Sequence, residues 1–103
     1  MPVPGTIESR LADLGIELPV PQKTRVAKIL PTMIVDRLLY VSGMVPQWNG
    51  ELRFVGKVGR EFPLEEGQAA ARLSTLNVLA QAREALDGDL DRIARVVNLK
   101  GYV

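Results

Sequence analysis

Apolar positions recur in different rhythms along the chain, and each rhythm marks a different element. Ile7, Leu11 and Leu14 fall at i, i+4 and i+7, the stripe of an amphipathic helix. Thr6 stands where an N-cap is wanted, Glu8 suits the positive helix end, and Gly15 supplies a left-handed stop. A helix of about two to three turns is too short to hold alone, so its stripe must dock elsewhere. Residues 16–22 contain Pro19 and Pro21 and read as an extended connection.

Two runs of strand length come next. Arg25-Val26-Ala27-Lys28-Ile29-Leu30 precedes Pro31, which suits an edge or a bulge. Leu38-Leu39-Tyr40-Val41 follows a reversal at Val35-Asp36-Arg37. Asn49-Gly50 predicts a type I′ hairpin, because both residues tolerate positive φ, and it joins an arm at Val45 to one at 52–54.

A long helix is expected over 63–87. Pro63 fits the first turn, Glu65 and Glu66 suit the macrodipole, Gly67 is a mild weakness, and Gly88 ends it. At 100° per residue, Ala71, Ser74, Val78, Ala82 and Ala85 form a small-residue strip expected to lie against a sheet. Leu73, Leu76 and Ala80 fall on another side, so the helix asks for a second packing partner. The β-branched residues of 93–103 predict a closing strand. A strand–helix–strand step implies a right-handed crossover and a parallel pair.

Composition narrows the function classes. With 47% hydrophobic and 24% charged residues, the chain is globular, and 103 residues make one domain. A net charge of +1 gives no field to attract nucleic acid. The sequence has no Cys and no His, which removes disulfides, thiolate nucleophiles and the commonest base and metal ligand. Met1-Pro2-Val3-Pro4-Gly5 has no basic or apolar signal character, and no apolar run approaches a membrane span. A cytoplasmic soluble protein is expected.

Chemistry concentrates at few places. At Ser42-Gly43 a strand meets a Gly, which would leave a backbone N–H to hold an oxyanion or carboxylate; taken alone, a plain strand-to-turn transition explains the pair better. Gly56-Lys57-Val58-Gly59 lacks the spacing and the Lys-Ser/Thr pair of a phosphate loop, and reads as a hinged connection. Arg92, Arg95 and Lys100 follow Asp87, Asp89 and Asp91, a solvated face rather than a basic one. Trp48 and Tyr102 are lone aromatics, too few for a base-stacking platform.

The block Leu38-Leu39-Tyr40-Val41-Ser42-Gly43-Met44-Val45-Pro46, the Asn49-Gly50 turn, the loop at 56–59, the long helix and Gly88-Asp89-Leu90 resemble the YjgF/RidA family, also labelled L-PSP endoribonuclease. The resemblance spans about residues 24 to 103. It implies a chorismate-mutase-like α+β fold, a mixed sheet backed by a long helix. Residues 1–22 form an extra N-terminal helix and connection, and 23–103 form a core whose C-terminal part is expected to be missing. It further implies a homotrimer with clefts between subunits, lined here by Ser42, Gly43, Met44, Lys57 and Gly59. Where the family usually has Gln after Ser-Gly, this chain has Met44, which cannot make an amide's hydrogen bonds.

The family activity so implied is hydrolysis of reactive enamines and imines to 2-keto acids and ammonia, without metal or organic cofactor. An Arg on a later strand clamps the substrate carboxylate and a Glu near the C-terminus positions water. No Arg or Glu of this chain matches either position, so the catalytic residues stay unknown and unaided turnover is not expected. The alternative is a non-catalytic homo-oligomer that binds small carboxylates or is structural; ribonuclease action is a distant third.

Overall fold

The computed structural model describes residues 5–22 and 30–103. The order is α1 (Thr6–Asp13), β1 (Thr32–Val35), β2 (Leu38–Val41), β3 (Gln47–Trp48), β4 (Glu51–Leu52), α2 (Leu64–Ala85) and a 3-10 turn (Leu90–Arg92). Helices and antiparallel hairpins make it α+β.

α1 starts one residue earlier than its sequence suggests. Gly5 is the N-cap, and the cap is supplied across the chain: the Asp91 carboxylate accepts from Thr6 N–H at 2.5 Å and Ile7 N–H at 2.9 Å. Thr6 is therefore the first helical residue and not the cap. At the other end Gly15 has φ 68° and donates to Ala12 O, while Ile16 N–H reaches back to Leu11 O at 2.9 Å. These two bonds are a Schellman closure, and Ile16 and Leu11 join the same apolar cluster.

β1 pairs with β2 in the register Thr32↔Val41, Met33↔Tyr40, Ile34↔Leu39 and Val35↔Leu38, with Asp36 at φ 53° in the reversal. β1 was not legible as a strand, although the turn that follows it was. The expected strand at 25–30 lies, but for Leu30, outside the described residues. Asn49 and Gly50 take φ 51° and 92°, as a type I′ turn requires. The arms they join, β3 and β4, are two residues each, shorter than the sequence implied.

α2 runs from Leu64 to Ala85, with Pro63 as N-cap. Its C-terminus is again a Schellman closure: Gly88 N–H donates to Arg83 O at 2.8 Å and Asp87 N–H to Glu84 O at 3.3 Å. The left-handed position after the cap is Asp87, at φ 56°, followed by Gly88 at φ 88°.

The helix sits one residue out of the expected phase. Asn77, Ala80, Gln81 and Ala82 are its buried residues, Ser74 and Val78 are half-buried, and Ala71 is exposed. Asn77, whose amide satisfies Gln47 O, faces the hairpins, and Gln81 one turn on satisfies Gln22 O in the connection after α1; apolar side chains would leave both carbonyls unpaired.

Leu18, Ala80, Ala82 and Leu90 form the core, joined by Ile7, Leu11, Ile16, Leu39, Leu76, Leu79 and Ile93. Thus residues of α1, of the connection after it and of the segment after α2 pack on α2 in one cluster that also takes in Leu39 of β2.

The predicted closing strand is absent. Residues 94–103 are exposed backbone without strand pairing. Both sheets are two-stranded and antiparallel, and the one parallel contact among the described residues is the isolated bridge Val58–Phe62. The crossover expected of strand–helix–strand is consequently not formed among the described residues. A strand with apolar residues on both faces holds only where neighbouring strands and two covering layers are present.

Candidate functional site

Ser42 sits just past β2 and is fixed twice. Its N–H donates to Pro31 O at 2.9 Å and its Oγ to Leu30 O at 2.6 Å. The backbone N–H that sequence reasoning left for an oxyanion is thus spent on the hairpin. Gly43, the next residue, is exposed, and a Cβ built on it would meet no atom within 4 Å. Met44 is half-buried. The strand end is therefore a rigid serine followed by an open glycine.

The loop carrying Lys57 and Gly59 is closed on itself. Glu61 Oε2 accepts from Lys57 N–H at 2.7 Å, and Gly59, at φ 86°, donates its N–H to Phe62 O at 2.8 Å. Phe54 and Phe62 pack edge to face with centroids 6.2 Å apart, which pins the loop base. Gly56 has φ 147°, and a Cβ on it would lie 2.7 Å from Glu61 Cβ. Gly67, a weak helix residue, is explained by this loop: a Cβ there would come 2.8 Å from Val58 Cγ2. The loop docks on α2 by placing Val58 against a helix position without a side chain. Lys57 is exposed and has no ion-pair partner among the described residues.

A depression of about 270 Å³ lies elsewhere, lined by Glu8, Leu11, Ala12, Ile16, Glu17, Leu18 and Arg83. Arg83 and Glu8 face each other at 3.4 Å, a partly exposed pair that ties α1 to α2. None of Ser42, Gly43, Met44, Lys57 or Gly59 contributes to it. Among the described residues no group of His, Cys, Asp or Glu is arranged to hold a metal ion, and no helix is long and apolar enough to cross a membrane.

Sequence reasoning missed a polar seam beneath the hairpins. Asn77 Nδ2 donates to Gln47 O at 2.8 Å, to Leu73 O at 3.0 Å and weakly to Val45 O at 3.4 Å. Gln81 Nε2 donates to Gln22 O at 2.8 Å, and Asn49 Oδ1 accepts from Val20 N–H at 2.7 Å. The signal was an i, i+4 pair of amides amid alanines, which marks a face made to meet backbone. This seam fixes the segment 45–49, which directly follows Gly43 and Met44, onto α2.

Comparison with known proteins places this geometry. The family model described as YjgF/chorismate mutase-like, putative endoribonuclease matches residues 8–103. Protein TCP17 of Trypanosoma cruzi is 38% identical over 102 residues, covering 96% of this chain and 61% of that protein. Among solved structures, Atu1372 of Agrobacterium tumefaciens, a protein of unknown function, is 44% identical with a TM-score of 0.77; the match covers 88% of this chain and 54% of that one. A putative endoribonuclease from Shewanella oneidensis is 39% identical with a TM-score of 0.82, covering 89% of this chain and 60% of that one. The chain thus spans between 54% and 61% of the length of these relatives. With its strands and helices superposing on such structures and its sequence matched from Glu8 to Val103, the chain belongs to the YjgF/chorismate mutase-like family.

Proposed function

We propose that this chain carries a small-carboxylate-binding strand end of the enamine- and imine-handling type, and that its residues bind without turning over. The observation that carries this reading is the contrast at the end of β2. Ser42 is held by Leu30 and Pro31, and the adjacent Gly43 leaves open space beside it. A ligand carboxylate approaching there meets backbone without a side chain in the way; the donor it would take is the Gly43 N–H, since the Ser42 hydroxyl gives its proton to Leu30 O. Met44 offers an apolar wall where an amide would have added polar contacts.

Turnover needs more than a cradle. An imine is already electrophilic, so hydrolysis asks for orientation and a placed water. Arg83, Arg53 and Arg60 face Glu8, Glu51 and Glu61 respectively. No arginine stands beside Ser42 and Gly43 among the hydrogen bonds and ion pairs of the described residues. A site without a charge-assisted clamp and a water-positioning group forgoes on the order of 2–4 kcal/mol of transition-state stabilisation apiece. Supplied with a 2-aminoacrylate-type imine generated in situ, the chain is expected to release ammonia no faster than buffer. Turnover that survives Ser42→Ala and disappears with Arg95→Ala would refute this, and would make an exposed arginine the clamp.

The same reading includes self-association into a homo-oligomer, with a trimer as the first expectation. Its support is the outer face of the β1–β2 hairpin. Met33, Val35, Leu38 and Tyr40 are cross-strand partners on one face, and they are 52, 48, 45 and 57% exposed. A solvated face of an antiparallel sheet is ordinarily polar, and this one has no polar residue except the tyrosine hydroxyl. Nucleic acid finds little to hold it, since the net charge is only +1.

A further inference from the structure

Asn49-Gly50 and Asp87-Gly88 are the places in the chain where an Asn or Asp precedes a glycine. Such a pair is chemically labile, because glycine puts no side chain in the way when its backbone nitrogen attacks the side-chain carbonyl carbon before it. The structure separates the two. Gly88 N–H is committed to Arg83 O at 2.8 Å in the closure of α2. Gly50 N–H has no acceptor among the described residues, and Asn49 and Gly50 are both exposed at the tip of the β3–β4 hairpin. Asn49 Oδ1 accepts from Val20 N–H at 2.7 Å, so a donor stands on the oxygen that gathers negative charge when its carbon is attacked. Asn77 is buried ahead of Val78, and Asn98 precedes Leu99, so a branched neighbour hinders the attack at both.

We propose that Asn49 is a site of spontaneous covalent modification, and that isoaspartyl formation there unties the connection after α1 from the β3–β4 hairpin. Gly50 N gives its proton to hydroxide and bonds to Asn49 Cγ. The Cγ–Nδ2 bond breaks, Nδ2 takes a proton from water and leaves as ammonia, and a cyclic imide remains. Water then opens the imide at one of its carbonyls. Cleavage at Cγ leaves an aspartate on the original main chain. Cleavage at the backbone carbonyl carbon routes the main chain through Cγ and leaves that carbonyl as a free carboxylate. The second product lengthens a tight turn whose arms pair only through Gln47↔Leu52 and Trp48↔Glu51. It also turns the acceptor of Val20 N–H into a backbone oxygen of that altered turn. The proposal is independent of any ligand at Gly43.

The test ages the 103-residue chain for days in mildly alkaline buffer and locates isoaspartate by methyltransferase labelling and fragment mass spectrometry. Label is expected at Asn49, ahead of Asp87 and Asn98. In the aged fraction, amide exchange at Val20 should quicken about fivefold or more, the loss of one hydrogen bond. Exchange in α2 should be unchanged, which shows that the body stays folded. Freshly prepared Asn49→Asp keeps the acceptor and should exchange at Val20 as the natural chain does, so charge alone is not the cause. Three results would each overturn the proposal. Label forms at Asn49 in the urea-unfolded chain and not in the folded one; Asp87 or Asn98 is labelled first; or isoaspartate accumulates at Asn49 with exchange at Val20 unchanged.

Discussion

Asp91 caps a helix that begins 85 residues before it in sequence: its carboxylate accepts from the backbone N–H of Thr6 and, through its other oxygen, of Ile7. The arrangement ties the start of α1 to the 3-10 turn that follows α2. It also explains Gly5, where a Cβ would lie 2.7 Å from Asp91 Oδ2. Asp91→Ala removes the acceptor for two helix-end donors and should cost about 1 kcal/mol, the usual value of a lost N-cap. Urea denaturation measures the loss, and amide exchange should quicken at Thr6 and Ile7 while α2 stays protected.

Asn77 is 2% exposed and serves the carbonyls of Gln47, Leu73 and Val45. Asn77→Leu keeps the branched shape in a somewhat larger side chain and leaves Gln47 O without its donor. The expected cost is about 1–3 kcal/mol, the penalty of an unsatisfied buried acceptor. By contrast Val78→Ala, one position away and half-buried, should cost under about 1 kcal/mol. Equal losses at the two positions would restore the helix phase that the small-residue strip suggested.

Gly67 separates a helix-propensity argument from a packing argument. Alanine at a helix position is favoured over glycine by about 1 kcal/mol, yet here its Cβ would press on Val58 at 2.8 Å. Gly67→Ala should therefore stabilise the chain only in a Val58→Ala background and be neutral or destabilising alone. The coupling is read from a double-mutant cycle by thermal or urea unfolding.

The hairpin face offers a test of assembly. Val35→Lys places a charge among Met33, Leu38 and Tyr40 on the exposed face, where no buried contact of the core is lost. Sedimentation at high micromolar concentration should show an oligomer for the natural sequence and a monomer for the variant. A monodisperse monomer of the natural sequence would remove self-association from the account.

Much of the local structure was legible because local chemistry decides it. Asn49-Gly50 can hardly be anything but a turn, Gly15 and Gly88 end their helices, and Ile7 with Leu11 faces the core as its spacing implies. The misreadings are all tertiary. Thr6 lost its cap role to a residue far away in sequence, which no local pattern announces. The strip from Ala71 to Ala85 looked like a sheet-facing surface, whereas Asn77 meets the hairpin carbonyl of Gln47 and Gln81 that of Gln22 in the connection after α1, and of the strip Ala82 alone is fully buried. Leu14, third in the α1 stripe, is 62% exposed because the chain turns at Gly15 and sends Ile16 and Leu18 inward instead. Residues 93–103 have the composition of a strand and make no strand pairing among the described residues. Of the candidate site, the position of the Ser42-Gly43 pair was readable; that Ser42 spends both its donors on the hairpin was not.

The central claim is that a small carboxylate is held at the end of β2. Amide chemical-shift mapping during a pyruvate titration tests it most directly, because it locates the ligand without needing turnover. The account predicts saturable shifts concentrated at Gly43 and Met44, lost when Gly43→Val fills the open space. Shifts confined to the α1–α2 depression around Arg83 and Leu11, or no saturable shift at all, would contradict it.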